Sequence, residues 1–352
     1  MSFIDTLSNR LRNHPKRIVF PEGNDLRIIQ AARTFASQKL GVPILLGDRS
    51  EIKRKAQSLD IHLEHIRILN PEESDDLPIL MKQFEGLHRF RGLKEREIRD
   101  FVMDRNYFAT LLLATNRVNA LVSGATDSAS SALRPILKII PKQRGIRYIS
   151  SMLLHPVELS ESGFNKTLAL ADCAVIPDPT AEQLADIAVT TAKISHHITN
   201  QIPRVAFLSY TSKTKSSKNP TVAKMKSATE LARKKAYDFN LDIFIDGEMQ
   251  VDTALVPEVA QQKRVESAVA GQANVLIFPD LHSANICSKM MGLISGSHSY
   301  GQIITGIQKP AAEISRGASA HDILGTAVIV AAQAVDRNLL FSGENDTDAK
   351  IA

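Results

Sequence analysis

Cysteine is scarce in this 352-residue chain: it holds two, Cys173 and Cys287. They stand far apart and form no metal-ligand spacing, which argues against a disulfide scaffold or a cysteine-built zinc site and suits a reducing cytoplasm. Long apolar runs are missing too. The longest, residues 323–335, is interrupted by Gly, Thr and Gln and is too short to span a bilayer. The opening stretch MSFIDTLSNRLRNHPKR has no apolar core of signal-peptide length, so the expectation is a cytoplasmic chain with no membrane partner. Three familiar site motifs are absent: the GxxxxGK phosphate loop, the GxSxG nucleophile elbow and the GxGxxG dinucleotide fingerprint.

What is present is ordinary in bulk. Lys and Arg number 43 against 38 Asp and Glu, a net charge of +5, with 43% apolar residues. These values describe a globular chain, and the length favours two domains over one. The positive charge is uneven: eight basic residues and a single acidic one, Glu230, lie between Lys213 and Lys235. A solvated face, a nucleic-acid patch and a cradle for a small polyphosphate all fit such a segment. No aromatic interleaving favours nucleic acid, and none is expected as a partner.

Short runs rich in Val, Ile and Leu alternate with longer helical patterns. The runs at 18–20, 42–46, 66–69, 120–122, 148–154, 174–176, 205–208, 243–245, 275–278 and 303–304 predict strands. Several lack period-two alternation, as strands covered on both faces do. Helical patterns cover 27–38, 95–114, 181–195, 227–239 and 282–294. Thr180 with Gln183 and Ser319 with Asp322 read as capping boxes. The pattern predicts an α/β fold with mainly parallel sheets. In such folds ligands bind beyond the carboxyl ends of the strands, here marked by Ser123-Gly124, Ser209-Tyr210, Asp246-Gly247-Glu248 and Pro279-Asp280. The tail 342–352 is polar and expected to fray.

Three stretches can carry chemistry. KPAAEISRGASAHDI, residues 309–323, places Ser315, Arg316 and Gly317 at the mouth of a helix with Asp322 one turn inside. Helix amides and a guanidinium suit an anion, and a nearby carboxylate can take a proton. A structural alternative stands beside this: Asp322 only caps the helix and Arg316 pairs with Glu313. LVSGATDSASSALRP, 121–135, ends a strand in small hydroxylated residues and brings Arg134 to the next helix; a plain crossover loop has the same look. VAFLSYTSKTKSSKNP, 205–220, opens the basic segment with Tyr210, Ser212 and Lys213. No acidic cluster near these loops invites a metal.

In this order the three stretches resemble the phosphate acetyl/butyryltransferase family. The resemblance runs over nearly the whole chain, through IVFPEGNDLRIIQAA, YFATLLL, ALVSGA, LRPILKII, ADCAVIPDPTAEQLADIA, IDGEMQVDTALVP, VAGQANVLIFPDL and KPAAEISRGAS. It implies a metal-independent acyltransferase that interconverts acetyl phosphate plus coenzyme A with acetyl-CoA plus phosphate. No bound cofactor is implied; coenzyme A is a substrate. It further implies a homodimer of two α/β domains of the isocitrate/isopropylmalate dehydrogenase-like type with a cleft between them, residues 1–150 plus 301–352 forming the first and 151–300 the second. By motif, Asp322 takes the place of the base that deprotonates the thiol. Arg316 takes that of the arginine holding acetyl phosphate, Ser315 that of the assisting serine, and Arg134 that of a cleft arginine.

The chain departs from the family pattern in places. Asp127 stands where His is common, Ser131 where Asp is common, and His88 where an arginine helps bind coenzyme A, with Arg89 and Arg91 as substitutes. Thr214 and Ala284 replace glycines. These departures bear on coenzyme A affinity and acyl preference and leave Ser315, Arg316 and Asp322 intact. A phosphate butyryltransferase, a dehydrogenase of the same fold and a decayed binding or regulatory homologue are the rival expectations.

Overall fold

The computed structural model describes residues 2–159, 164–215 and 218–335; the tail expected to fray lies outside them. Eleven strands form one sheet: β1 (Lys16–Phe20), β2 (Gly41–Leu46), β3 (Arg67–Leu69), β4 (Ala120–Ser123), β5 (Ser150–Leu159), β6 (Phe164–Ala171), β7 (Arg204–Leu208), β8 (Phe244–Met249), β9 (Val275–Ile277), β10 (Tyr300–Thr305) and β11 (Ala311–Glu313). Their order is β3-β2-β1-β4-β11-β10-β5-β6-β9-β7-β8. β3 through β11 form one parallel block and β6 through β8 another. Antiparallel pairings of β10 with β11, β10 with β5 and β5 with β6 join the blocks. The mainly parallel α/β class is therefore observed.

Local chemistry explains where the elements depart from expectation. The 174–176 run is not a strand. Its amides, with those of Ala174, Val175 and Ile176 each donating to the buried Asp172 carboxylate, are drawn into a turn and cannot join a ladder. Two strands went unpredicted: β6, whose Asn, Lys and Ala content masks it, and the three-residue β11. The 95–114 pattern is two helices, Glu95–Met103 and Arg105–Ala114, because Asp104 ends the first and caps the second through the amides of Asn106 and Tyr107. The helix expected at 227–239 starts earlier, at Pro220, behind the Asn219 cap.

Helix Ala320–Gln333 anchors the region of interest. From Gly325 to Gln333 every residue is buried, and the helix packs on helices Leu26–Ser37 and Phe3–Asn13. Ser319 and Asp322 form the expected capping box.

Candidate functional site

The carboxyl ends of β1, β4 and β11 are adjacent, and polar contacts stitch their loops together. After β1, Glu22 is 3% exposed and accepts hydrogen bonds from the Gly124 amide at 2.8 Å and the Thr126 amide at 3.4 Å. Gly124 has φ +109°, and a Cβ there would sit 2.5 Å from the Ile314 carbonyl, so only glycine lets the β4 loop lie against β11. Asp25 caps helix Leu26–Ser37, which aims Arg27 across these loops. The Arg27 guanidinium donates to the carbonyls of Arg316 at 2.6 Å, Ala318 at 3.0 Å and Ala125 at 2.7 Å, while pairing with Asp25 at 2.9 Å. Arg27 thus fixes the backbone that carries Ser315 and Arg316.

Ser315 and Arg316 are exposed, and the Ser315 hydroxyl accepts from the Gly317 amide at 3.3 Å. The Arg316 guanidinium has no ion pair among the described residues, so the expected alternative pairing with Glu313 is not seen. Glu313 is instead 7% exposed at the end of β11; burial, reinforced by the Glu22 charge and opposed by Lys289, pushes its carboxyl up to about 7. Arg134 is exposed on helix Ala129–Ile139, one turn beyond the β4 loop, and its guanidinium touches the Ser130 hydroxyl at 3.3 Å. Arg89, also exposed, reaches the Leu137 carbonyl of the same helix at 3.3 Å.

Asp322 is more deeply held than a simple cap. One oxygen accepts from the Ser319 amide at 2.9 Å and its hydroxyl at 2.6 Å. The other lies 3.2 Å from the Ser299 amide and 3.1 Å from His298 Nδ1. Burial disfavours the charge, but the Ser319, Ser299 and His298 hydrogen bonds outweigh it and hold the carboxyl below its ordinary range. The His298 ring stacks on His321 at 3.9 Å between centroids, and His321 Nε2 lies 3.3 Å from the Tyr300 hydroxyl. Burial, with Asp322 nearby, raises the Tyr300 phenol to about 12.

Tyr210, Ser212 and Lys213 lie elsewhere. Their loop follows β7, five places from β11 in the sheet order, or about 24 Å at the usual strand spacing. Lys213 pairs with the buried Asp246, which also binds Arg233. The Ser212 hydroxyl accepts from the Gln250 amide at 3.0 Å and meets Thr253 at 3.1 Å. Tyr210 is 65% exposed. No described contact joins these three to the Ser315 loop.

The family departures are also accommodated. Asp127 accepts from Asn106 at 2.6 Å, and Ser131 closes the first turn of its helix on Ser128. Asp127 and Arg27 line a polar cavity of about 760 Å³ at the ends of β1 and β4. Ser315, Arg316 and Asp322 do not line it, so the cavity neighbours that cluster without containing it. Among the described residues, no group of His, Cys, Asp and Glu could hold a metal ion, and no helix is long and apolar enough to cross a membrane. Both cysteines are free, and burial raises both thiols, so neither is an activated nucleophile.

Glu22, Arg27, His298 and Tyr300 are the members of the candidate site that sequence reasoning missed. Arg27 had one usable signal, a basic residue two places after a helix-capping Asp; His298 had none, being 24 residues from its partner.

The chain is 37% identical over 334 residues to the phosphate acetyltransferase of Acetivibrio thermocellus, covering 95% of this chain and 98% of that protein. The crystal structure of a phosphotransacetylase from Streptococcus pyogenes superposes with a TM-score of 0.82 at 37% identity, over 96% of this chain and all of that one. A branched-chain phosphotransacylase from Enterococcus faecalis, 17% identical with a TM-score of 0.64 over 91% of this chain and 99% of that one, shares the fold. A model of one family, described as phosphate acetyl/butaryl transferase, matches residues 2–331, and with relatives of this identity and coverage the chain belongs to that family.

Proposed function

We propose that this chain catalyses reversible acetyl transfer between acetyl phosphate and coenzyme A by direct thiolate attack. The observation that carries the reading is that Arg27 joins the loop of Ser315 and Arg316, with Asp322 in the first turn of the helix that follows, to the β4 loop that leads to Arg134. A coenzyme A thiol of pKa about 8.5 is mostly protonated at neutral pH. The basic centre at Asp322 removes that proton. The sulfur then bonds to the carbonyl carbon of acetyl phosphate, and the bond from that carbon to the phosphate oxygen breaks. Arg316 and Arg134 balance the charge that grows on carbonyl and phosphate oxygens, and Ser315 donates to the reacting group.

The long coenzyme A molecule is the reason to retain Tyr210, Ser212 and Lys213 as binding residues: an extended ligand can bridge from the Ser315 loop to the β7 loop. Arg89, against helix Ala129–Ile139 on the other side of the Ser315 loop, is the alternative contact for the coenzyme A phosphates. Lys213 would exchange part of its pairing with Asp246 for a phosphate. The division into residues 1–150 plus 301–352 and 151–300, a homodimer and a cytoplasmic location belong to the same proposal. The antiparallel β10, β5 and β6 would form the seam between domains.

The deciding experiment is thioester formation by the purified chain from acetyl phosphate and coenzyme A with EDTA present. Fast turnover is expected. A folded sample inert with acetyl phosphate and with butyryl phosphate would overturn the reading; preference for butyryl phosphate would move the substrate to a longer acyl chain.

A further inference from the structure

We propose that His298 and Asp322 work as a dyad, in which Asp322 orients the imidazole and His298 Nε2 receives the thiol proton. The proposal rests on the basic centre lying at Asp322 and names the atom that does the work there.

An ionised carboxyl offers about four lone-pair positions. Those of Asp322 are taken by the Ser319 amide and hydroxyl, the Ser299 amide and His298 Nδ1. Such saturation weakens a base: each donor must give way before a new proton can bind. A carboxyl held below its ordinary range by these hydrogen bonds is a weak proton acceptor toward a thiol. The His298 imidazole beside it carries a second ring nitrogen that can accept a proton.

The geometry supplies that imidazole in usable form. The carboxylate can only accept, so the neutral ring keeps its proton on Nδ1 and its lone pair on Nε2. Nε2 has no hydrogen-bond partner among the described residues, and the side chain is 48% exposed. Stacking on His321 fixes the ring plane. The titratable groups around the dyad are His321 on the same helix, Tyr300 on β10, and His155 on β5, which meets the Ser299 hydroxyl at 3.1 Å. When Nε2 takes the thiol proton, the imidazolium is paired at once with Asp322. In the reverse direction it returns the proton to the departing thiolate. The arrangement has the logic of the orienting carboxylate and acid–base histidine of a hydrolase triad, here serving an external thiol.

The test compares His298→Ala, His298→Gln and Asp322→Asn in the full-length chain, across pH 5 to 9, by thioester formation. The expected result is a loss of about 100-fold or more in kcat for both His298 variants. Added imidazole should partly restore His298→Ala. Because His298 is half exposed, melting curves should be unchanged. An inactive Asp322→Asn beside His298 variants with kcat intact would overturn the dyad and leave the acetyl-transfer reading standing. A fully active Asp322→Asn would remove the basic centre itself, and the dyad with it.

Discussion

Arg27→Ala tests whether the loop carrying Ser315 and Arg316 is held by its neighbour or holds itself. The substitution removes three bonds from a charged donor to the carbonyls of Arg316, Ala318 and Ala125, and the pairing with Asp25. Hydrogen bonds to charged groups are each worth about 1.5–3 kcal/mol, but water can replace those at the exposed Arg316 and half-buried Ala318. Ala125 is 1% exposed, and its carbonyl would lose its partner with little solvent to compensate. A loss of about 3 kcal/mol follows. If the clamp keeps Arg316 in its reactive position, that energy is also lost from the transition state, and kcat/KM for acetyl phosphate should fall by roughly 150-fold. Arg27→Lys should recover part of it, because one ammonium cannot reach both loops in the geometry of a planar fork. Initial rates of thioester formation, with melting curves alongside, decide the matter. A lowered melting point with kcat/KM within about threefold of wild type would refute the reasoning and leave Arg27 a structural residue only.

Other perturbations separate chemistry from scaffold. Asp322→Asn should cut kcat by several orders of magnitude while the fold survives; a role as helix cap alone would instead cost roughly 1 kcal/mol in urea denaturation with activity near normal. Gly325→Ala should lower both melting point and kcat, because the new methyl would sit 2.2 Å from the Tyr300 ring; the gain of about 1 kcal/mol in helix propensity is smaller than the typical 1–3 kcal/mol of overpacking. An unchanged melting point would show that the ring moves freely. Glu313, raised from 4.5 to about 7 chiefly by burial, stays protonated in the folded chain where the unfolded chain ionises. Its contribution is therefore present below about 4.5 and lost as pH rises through 7, on the order of 3 kcal/mol. Urea midpoints should show this decline, and Glu313→Gln should abolish it; identical slopes would sink the assignment.

The elements that could be read from the chain are those specified by neighbours in sequence. Ser319 with Asp322 and Thr180 with Gln183 form their capping boxes because each closes within four residues. The buried parallel strands announce themselves as apolar runs. Residues 174–176 have the same composition and are no strand, because Asp172 claims their amides, and only its burial beside Ser151 makes that possible. The site divides the same way. Ser315, Arg316 and Asp322 lie within one motif, whereas the contacts of Arg27 to Arg316 and of Glu22 to Gly124 span 289 and 102 residues. No periodicity encodes contacts of that separation.

Strand direction explains the most consequential omission. The rule that ligands lie beyond the carboxyl ends of parallel strands leads to the loops after β1, β4 and β11. It passes over His298, which precedes a strand. β10, however, runs antiparallel to β11, with Ile303 opposite Ala312, so its amino end rises at the same edge of the sheet as the carboxyl end of β11. The chain before Tyr300 therefore arrives beside the mouth of helix Ala320–Gln333, where the Ser299 amide and His298 ring meet Asp322. β5, antiparallel to β10 with Leu154 opposite Tyr300, delivers His155 to the same edge. In a mixed sheet the productive edge collects carboxyl ends of one strand set and amino ends of the other. Both sets can carry side chains to one site, and here the second brings the His298 imidazole to Asp322.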